Sequence, residues 1–263
     1  MSPIPAGPLH PEGKTLATLE IQGRSWAVEA LLFDKDGTLF DFAALWGGWA
    51  SGLLERVVAD FTQAGDVATL GTWIGWDAGG RRHDPAGPLA AGSVTEVLAA
   101  VTTALYRAGV PWHDAKASVV RARREVESAR SWSAALRPVA GAAELLEQAV
   151  AAGAGVGVVT ADDTASARMH LEVAGLARAV AAVVGDDVVS AGKPDPEPVE
   201  AVCRALGSSP ARVALFGDTA SDVVAARRAG VGVVVGVAAS EAAAELLSGA
   251  DVVVADFAGI RLG

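Results

Sequence analysis

Two carboxylates two positions apart, Asp34 and Asp36, end an apolar run over residues 28–33 that only Glu29 interrupts. An apolar run that stops at acids marks the C-terminal end of a buried parallel strand. Open α/β sheets place their ligands at that end. Alternation along a strand sends both side chains the same way, into one site. Side by side the two charges repel, so a cation must join them or one must hold a proton. Gly37 then allows a tight turn and close backbone approach. Three later segments share this texture. A second apolar stretch, Gly157-Val158-Val159, ends in the hydroxyl of Thr160. Lys193 stands beside a turn in Gly192-Lys193-Pro194-Asp195. A third apolar stretch over 213–216 ends in two acids four apart, Asp218 and Asp222, a spacing that puts both on one face of a starting helix.

The surrounding chain must supply the elements that hold these residues. From Pro138 onward helix and strand alternate. Helices are expected near 140–152, 164–174, 196–206, 221–229 and 241–248, and strands near 155–160, 182–184, 213–216, 231–237 and 252–254. That rhythm implies a parallel sheet with crossover helices. Residues 15–28 alternate partly around a turn at Gln22-Gly23-Arg24, which suggests a hairpin feeding the first core strand. Between Asp41 and Pro138 the pattern is helical, over 43–61, 94–108 and 112–132, with Gly and Pro breaks at 79–88 and 109–111. Six of the seven tryptophans lie there, mainly as packing residues. The expected fold is therefore α/β: a doubly wound parallel-sheet core of residues 1–42 and 137–263, with a helical cap domain over 43–136 inserted after the first core strand. The glycines of Gly153-Ala154-Gly155-Val156-Gly157 complete no dinucleotide fingerprint and read as packing and turn residues.

A chain of 263 residues, 51% hydrophobic, can hold such a core. Acids outnumber bases 31 to 21, for a net charge of -10, which argues against nucleic acid and anionic membrane as partners. A local site can still be positive, so an anionic substrate is compatible. The single cysteine, Cys203, precludes an internal disulfide and reads as a small buried residue. Residues 1–14 look like a leader without the apolar centre of a signal peptide, and no apolar stretch approaches the ~18 residues of a membrane span. A cytoplasmic protein is expected, and oligomeric state is not legible.

The four segments, in this order, resemble the motifs of the haloacid-dehalogenase-like hydrolases. The likeness runs over residues 28–240, with the middle third matching only in length and helical character. It looks most like the phosphoglycolate-phosphatase-like branch. The resemblance implies an Mg²⁺-dependent phosphatase acting on a small phosphorylated metabolite through an aspartyl phosphate. Asp34 would be the nucleophile and Asp36 the general acid and base. Thr160 and Lys193 would bind the transferring phosphoryl, helped by backbone N–H groups of Lys35, Asp36 and Ala161. Asp34, Asp218, Asp222 and the main-chain carbonyl of Asp36 would hold the metal, with helix-end stabilisation as the alternative role of Asp222. Asp162 and Asp163 read as helix N-cap acids. Asp36 speaks against the family's dehalogenases and phosphonate-cleaving members, which lack that second acid. The missing spans speak against ion pumps with a similar signature. The polar candidates of the cap are Arg81, Arg82, His83 and His113; segment 79–84 reads first as a solvated turn, with a substrate-specificity loop that offers positive charge to a second anionic group as the alternative. A phosphosugar mutase of the β-phosphoglucomutase kind, on the same core, is the alternative activity. A non-catalytic binding protein is a third reading, against which the complete acid set argues.

Overall fold

The computed structural model describes residues 16–263, so the expected leader over 1–14 lies outside the described residues. The chain divides into two compact units, one of residues up to Phe40 with 138–263, the other of Asp41–Arg137.

The first unit is built on a six-stranded parallel sheet. Its strands are Ala30–Phe33, Gly155–Val159, Ala182–Val184, Val213–Gly217, Val233–Val237 and Val252–Val254. In space Ala30–Phe33 lies between Gly155–Val159 and Val213–Gly217, with Ala182–Val184 at one edge and Val252–Val254 at the other. The chain thus builds one side of the sheet outward from Ala30–Phe33 and then returns to build the other. The strand order reverses beside Ala30–Phe33, and a crevice opens at the carboxyl ends of strands where that happens. All four residues of Ala30–Phe33 are fully buried, as a central strand covered on both faces requires. Phe33 pairs in register with Phe216 and Val158, and its ring stacks on Phe216 at 4.9 Å between centroids. The strand end that carries the acids is therefore fixed by packing on both sides. Helices Ala142–Ala151, Thr164–Val173, Glu197–Leu206, Ala220–Arg228 and Glu241–Glu245 connect the strands.

The expected hairpin forms from Ala17–Ile21 and Arg24–Val28. Gln22 and Gly23 turn it with positive φ, the conformation that matches strand twist in a two-residue turn. Ala17, Leu19 and Ile21 point inward while Thr18 and Glu20 face outward. A strand that the sequence does not announce, Arg261–Leu262, pairs antiparallel with Ala17–Ile21. Two residues are too few for a periodic signal, so only their long-range partner makes them a strand.

The second unit is mainly helical. Its long helices are Phe42–Asp60, Val94–Arg107 and Trp112–Ala129, with short ones at Val67–Gly71, Pro88–Ala91 and Trp132–Ala135. Ser93 and Glu96 form a reciprocal capping box that starts Val94–Arg107. Leu53, Leu54, Val57, Val101, Leu105 and Val119 build its core. Trp49 and Trp76 are buried in it, and Trp76 Nε1 donates to Ser51 Oγ at 2.9 Å. Trp73 and Trp112 are exposed, so packing explains only some of the tryptophans. Among the described residues no helix is long and apolar enough to cross a membrane.

Candidate active site

The acids of the first motif leave the central strand together. Asp34 follows Phe33 directly, and its N–H donates to the Phe216 carbonyl at 2.8 Å, which extends the strand by one residue. Gly37 has φ +91, and a Cβ placed there would lie 2.0 Å from Asp218 Oδ2. Only glycine allows Asp218 to come this close to the first motif. Thr38, fully buried, donates from Oγ1 to Asp218 Oδ1 at 3.0 Å and fixes the carboxylate from the other side.

Lys193 ties three segments together. Its buried Nζ donates to Asp34 Oδ1 at 2.5 Å and to Asp222 Oδ1 at 2.6 Å. It also lies 3.4 Å from the Val159 carbonyl, next to Thr160. Asp222 plays the helix-end role as well. Its Oδ2 accepts from Thr219 N at 3.0 Å and Thr219 Oγ1 at 2.6 Å, in a capping box that starts Ala220–Arg228. Both oxygens of Asp222 are thus engaged, and anchoring Lys193 is the task the geometry gives it.

Thr160 is buried at the end of its strand, and its Oγ1 accepts from Asp162 N at 3.1 Å. One acceptor position of the hydroxyl is thus used, and its proton is left to donate. The helix that follows is capped by Asp163, whose Oδ1 accepts from Ser166 N at 2.8 Å. This corrects the pairing of Asp162 with Asp163 as cap acids. The Asp162 carboxylate instead sits 3.4 Å from Lys35 Nζ, and Lys35 also pairs with Asp36. The Lys35 side chain is completely buried. A buried lysine needs anionic partners, and an acid doublet where one cap suffices was the available signal for this contact. Thr38 carried no such signal.

The electrostatics follow from this crowding. Burial first, then Asp222 and Asp36, push the Asp34 carboxyl up to about 6, against the pull of Lys193. Burial also raises Asp218 well above the usual range, reinforced by Asp34 and Asp222 and opposed by the Thr38 hydrogen bond. Burial pulls Lys193 down, but Asp222 and Asp34 outweigh it and hold its ammonium above the ordinary lysine range. Burial raises Asp162, and Lys35 partly offsets this.

One carboxylate oxygen from each of Asp34, Asp218 and Asp222 lies within 4.8 Å of the other two. Three carboxylates around one ammonium leave an excess of negative charge in a buried place. An all-oxygen donor set of this kind fits a hard divalent cation such as Mg²⁺.

Arg81, Arg82, His83 and His113 belong to the other unit. The segment read as a turn contains a small ladder, Trp76–Asp77 with Arg82–His83. Arg82 pairs with Asp77 at 3.2 Å, Arg81 is exposed at φ 50, and His83 lies against the Phe42 ring with centroids 4.2 Å apart. Burial lowers the His83 imidazole against the raising effect of Asp41 and Asp84.

A profile of the haloacid dehalogenase-like hydrolases matches residues 28–230. A phosphoglycolate phosphatase of Pectobacterium atrosepticum is 30% identical over 237 residues, 89% of this chain and 91% of that protein. Three further curated relatives, all named as phosphatases, match at 36% to 41% identity, but the chain spans only 39% to 57% of their length. Two solved structures share the fold. One, from Haemophilus somnus 129pt, is described as a predicted phosphoglycolate phosphatase, with TM-score 0.63, 22% identity, and coverage of 88% of this chain and 95% of that one. The other is a β-phosphoglucomutase of Clostridium difficile, with TM-score 0.59, 17% identity, and coverage of 87% and 91%. Motif order, a sheet that reverses at Asp34 and a match over most of its length agree: this chain belongs to the haloacid dehalogenase-like hydrolases, in their phosphoglycolate-phosphatase-like branch.

Proposed function

We propose that the protein is an Mg²⁺-dependent phosphatase that hydrolyses a small phosphomonoester through an aspartyl phosphate on Asp34. The observation that carries this reading is the convergence of Asp34, Lys193, Asp218 and Asp222 at the point where the sheet reverses. Lys193 holds Asp34 Oδ1, which leaves Oδ2 to attack phosphorus. The bond from phosphorus to the leaving oxygen breaks as the bond to Asp34 forms. Asp36 gives its proton to the departing alkoxide and later takes one from the water that attacks the phosphoryl group. That attack frees phosphate and restores the Asp34 carboxylate. The Thr160 hydroxyl and the N–H groups of Lys35, Asp36 and Ala161 hold the phosphoryl oxygens, and Lys193 neutralises their charge. Asp34, Asp218 and the main-chain carbonyl of Asp36 would hold Mg²⁺, with Asp222 beside them, and the ion would supply positive charge to the nucleophile and the phosphoryl group. In this reading the helical unit of Asp41–Arg137 serves as the cap, with Arg81, Arg82, His83 and His113 its polar candidates.

The test is phosphate release from a panel of phosphorylated metabolites and an aryl phosphate. Activity should require Mg²⁺ or a similar hard divalent ion, and Asp34→Asn should abolish it, because an amide is neither a nucleophile nor an anionic ligand. Full turnover in excess chelator, or in Asp34→Asn, would sink this mechanism.

A further inference from the structure

Lys35 occupies an unusual place. It stands between two acids of the first motif, yet its side chain is wholly withdrawn from solvent. Its ammonium pairs with the Asp36 carboxylate on one side and lies 3.4 Å from Asp162 Oδ2 on the other. Asp162 is itself well held. Its N–H donates to Thr160 Oγ1 at 3.1 Å, its carbonyl accepts from Asp186 N at 3.1 Å, and its Oδ1 accepts from Asp163 N at 3.0 Å. His170 Nδ1 lies 3.6 Å from Oδ2. The helix beyond has its cap from Asp163, so the Asp162 carboxylate is not needed for that. Its charged partner is Lys35, and Lys35 faces Asp36.

We propose that Asp162 is a positioning residue for the leaving-group acid: through the buried Lys35 ammonium it fixes the side chain of Asp36. The same residue holds the Thr160 hydroxyl through its main chain. One loop after the second strand therefore sets both a phosphoryl donor and, by way of Lys35, the proton donor. A long lysine stem held at one end only would leave Asp36 free among its rotamers. Held from both sides, the ammonium is fixed between the two carboxylates. The inference rests on the reading of Asp36 as the acid that serves the leaving oxygen.

The experiment separates the side chain from the main chain, because every backbone bond of Asp162 survives substitution. Turnover of an alkyl phosphate, a poor leaving group, and of a nitrophenyl phosphate, a good one, is compared in Asp162→Ala, Asp162→Asn, Asp36→Asn and the double variant Asp162→Ala with Asp36→Asn. Asp162→Ala should lose about tenfold on the alkyl ester and no more than about twofold on the nitrophenyl ester, the scale of a misplaced acid. Asp162→Asn keeps an acceptor oxygen for Lys35 and should recover most of that loss. In the Asp36→Asn background the further effect of Asp162→Ala on the ester ratio should vanish. A general loss of structure would lower both esters alike, so equal losses in Asp162→Ala overturn the inference. An unchanged ester effect in the Asp36→Asn background overturns it too. If Asp36→Asn itself lowers both esters equally, the role of Asp36 falls and this inference with it. If Asp36→Asn is selective and Asp162→Ala is not, only this inference falls.

Discussion

Gly37→Ala puts the central contact of the site under direct test. The added methyl would lie 2.0 Å from Asp218 Oδ2 and 2.6 Å from Asp218 Cγ, where ordinary contact begins near 3.4 Å. The carboxylate oxygen must therefore retreat by about 1.4 Å. Thr38 holds its other oxygen at 3.0 Å and opposes the rotation that would relieve the clash. A shift of about 1 Å in a positioned group can cost on the order of 100-fold in rate. Backbone strain adds to this, since φ at Gly37 is +91 and a left-handed non-glycine residue costs about 1–2 kcal/mol. For a chain of this size that is a fall in Tm of roughly 2–8 °C. Gly23→Ala is the matched control: its φ is +77, and its Cβ would meet nothing within 4 Å. The assay measures thermal melting and Mg²⁺-dependent hydrolysis of an aryl phosphate for both variants. Gly23→Ala should lose stability and keep its turnover, whereas Gly37→Ala should lose about two orders of magnitude of turnover as well. Equal activity in the two variants would show that the place of Asp218 does not matter to the reaction, and would refute the reasoning.

Two further outcomes follow from the buried charges. Lys193→Met leaves Asp34 and Asp222 without their shared ammonium, and removing one partner of a buried pair costs about 3–5 kcal/mol; urea denaturation at pH 7 should show this, and an unchanged midpoint would refute it. Asp34 binds its proton more tightly folded than unfolded, 6 against 3.8, so its protonation stabilises the metal-free fold at low pH and that help disappears as pH rises from about 4 to 6. The loss is about 3 kcal/mol at about 1.4 kcal/mol per unit, and Mg²⁺ should offset it; Mg²⁺ should therefore raise the melting temperature more at pH 7.5 than at pH 5, and an equal rise at both would contradict the charge account.

The core strands and most helices were legible because their patterns are local. Ala30–Phe33 is apolar throughout since both faces are covered, and the switch from such runs to acids or a hydroxyl marks where each strand stops. The helices over 142–151, 197–206 and 220–228 carry apolar faces, and the last two also carry start signals, a proline with first-turn acids in one and a capping threonine in the other. Motif order similarly suggested that Asp34, Lys193 and Asp218 share a site, because a parallel sheet brings all its strand ends to one edge. Side-chain pairing was not legible. Whether Asp222 faces a metal, a helix end or a lysine depends on where residue 193 arrives, 29 positions away in the chain. Asp162 and Asp163 are identical neighbours, yet one caps a helix and the other meets a lysine from the turn after Ala30–Phe33. Arg261–Leu262 becomes a strand only because Ala17–Ile21 offers an open edge. The sequence by itself determined which segments form the core parallel strands and which chemistry their ends could carry, since those follow from periodicity and residue type within a few positions. The tertiary structure alone decided which charges meet, because Coulomb contacts and close approaches such as Gly37 with Asp218 depend on distances that no local pattern encodes.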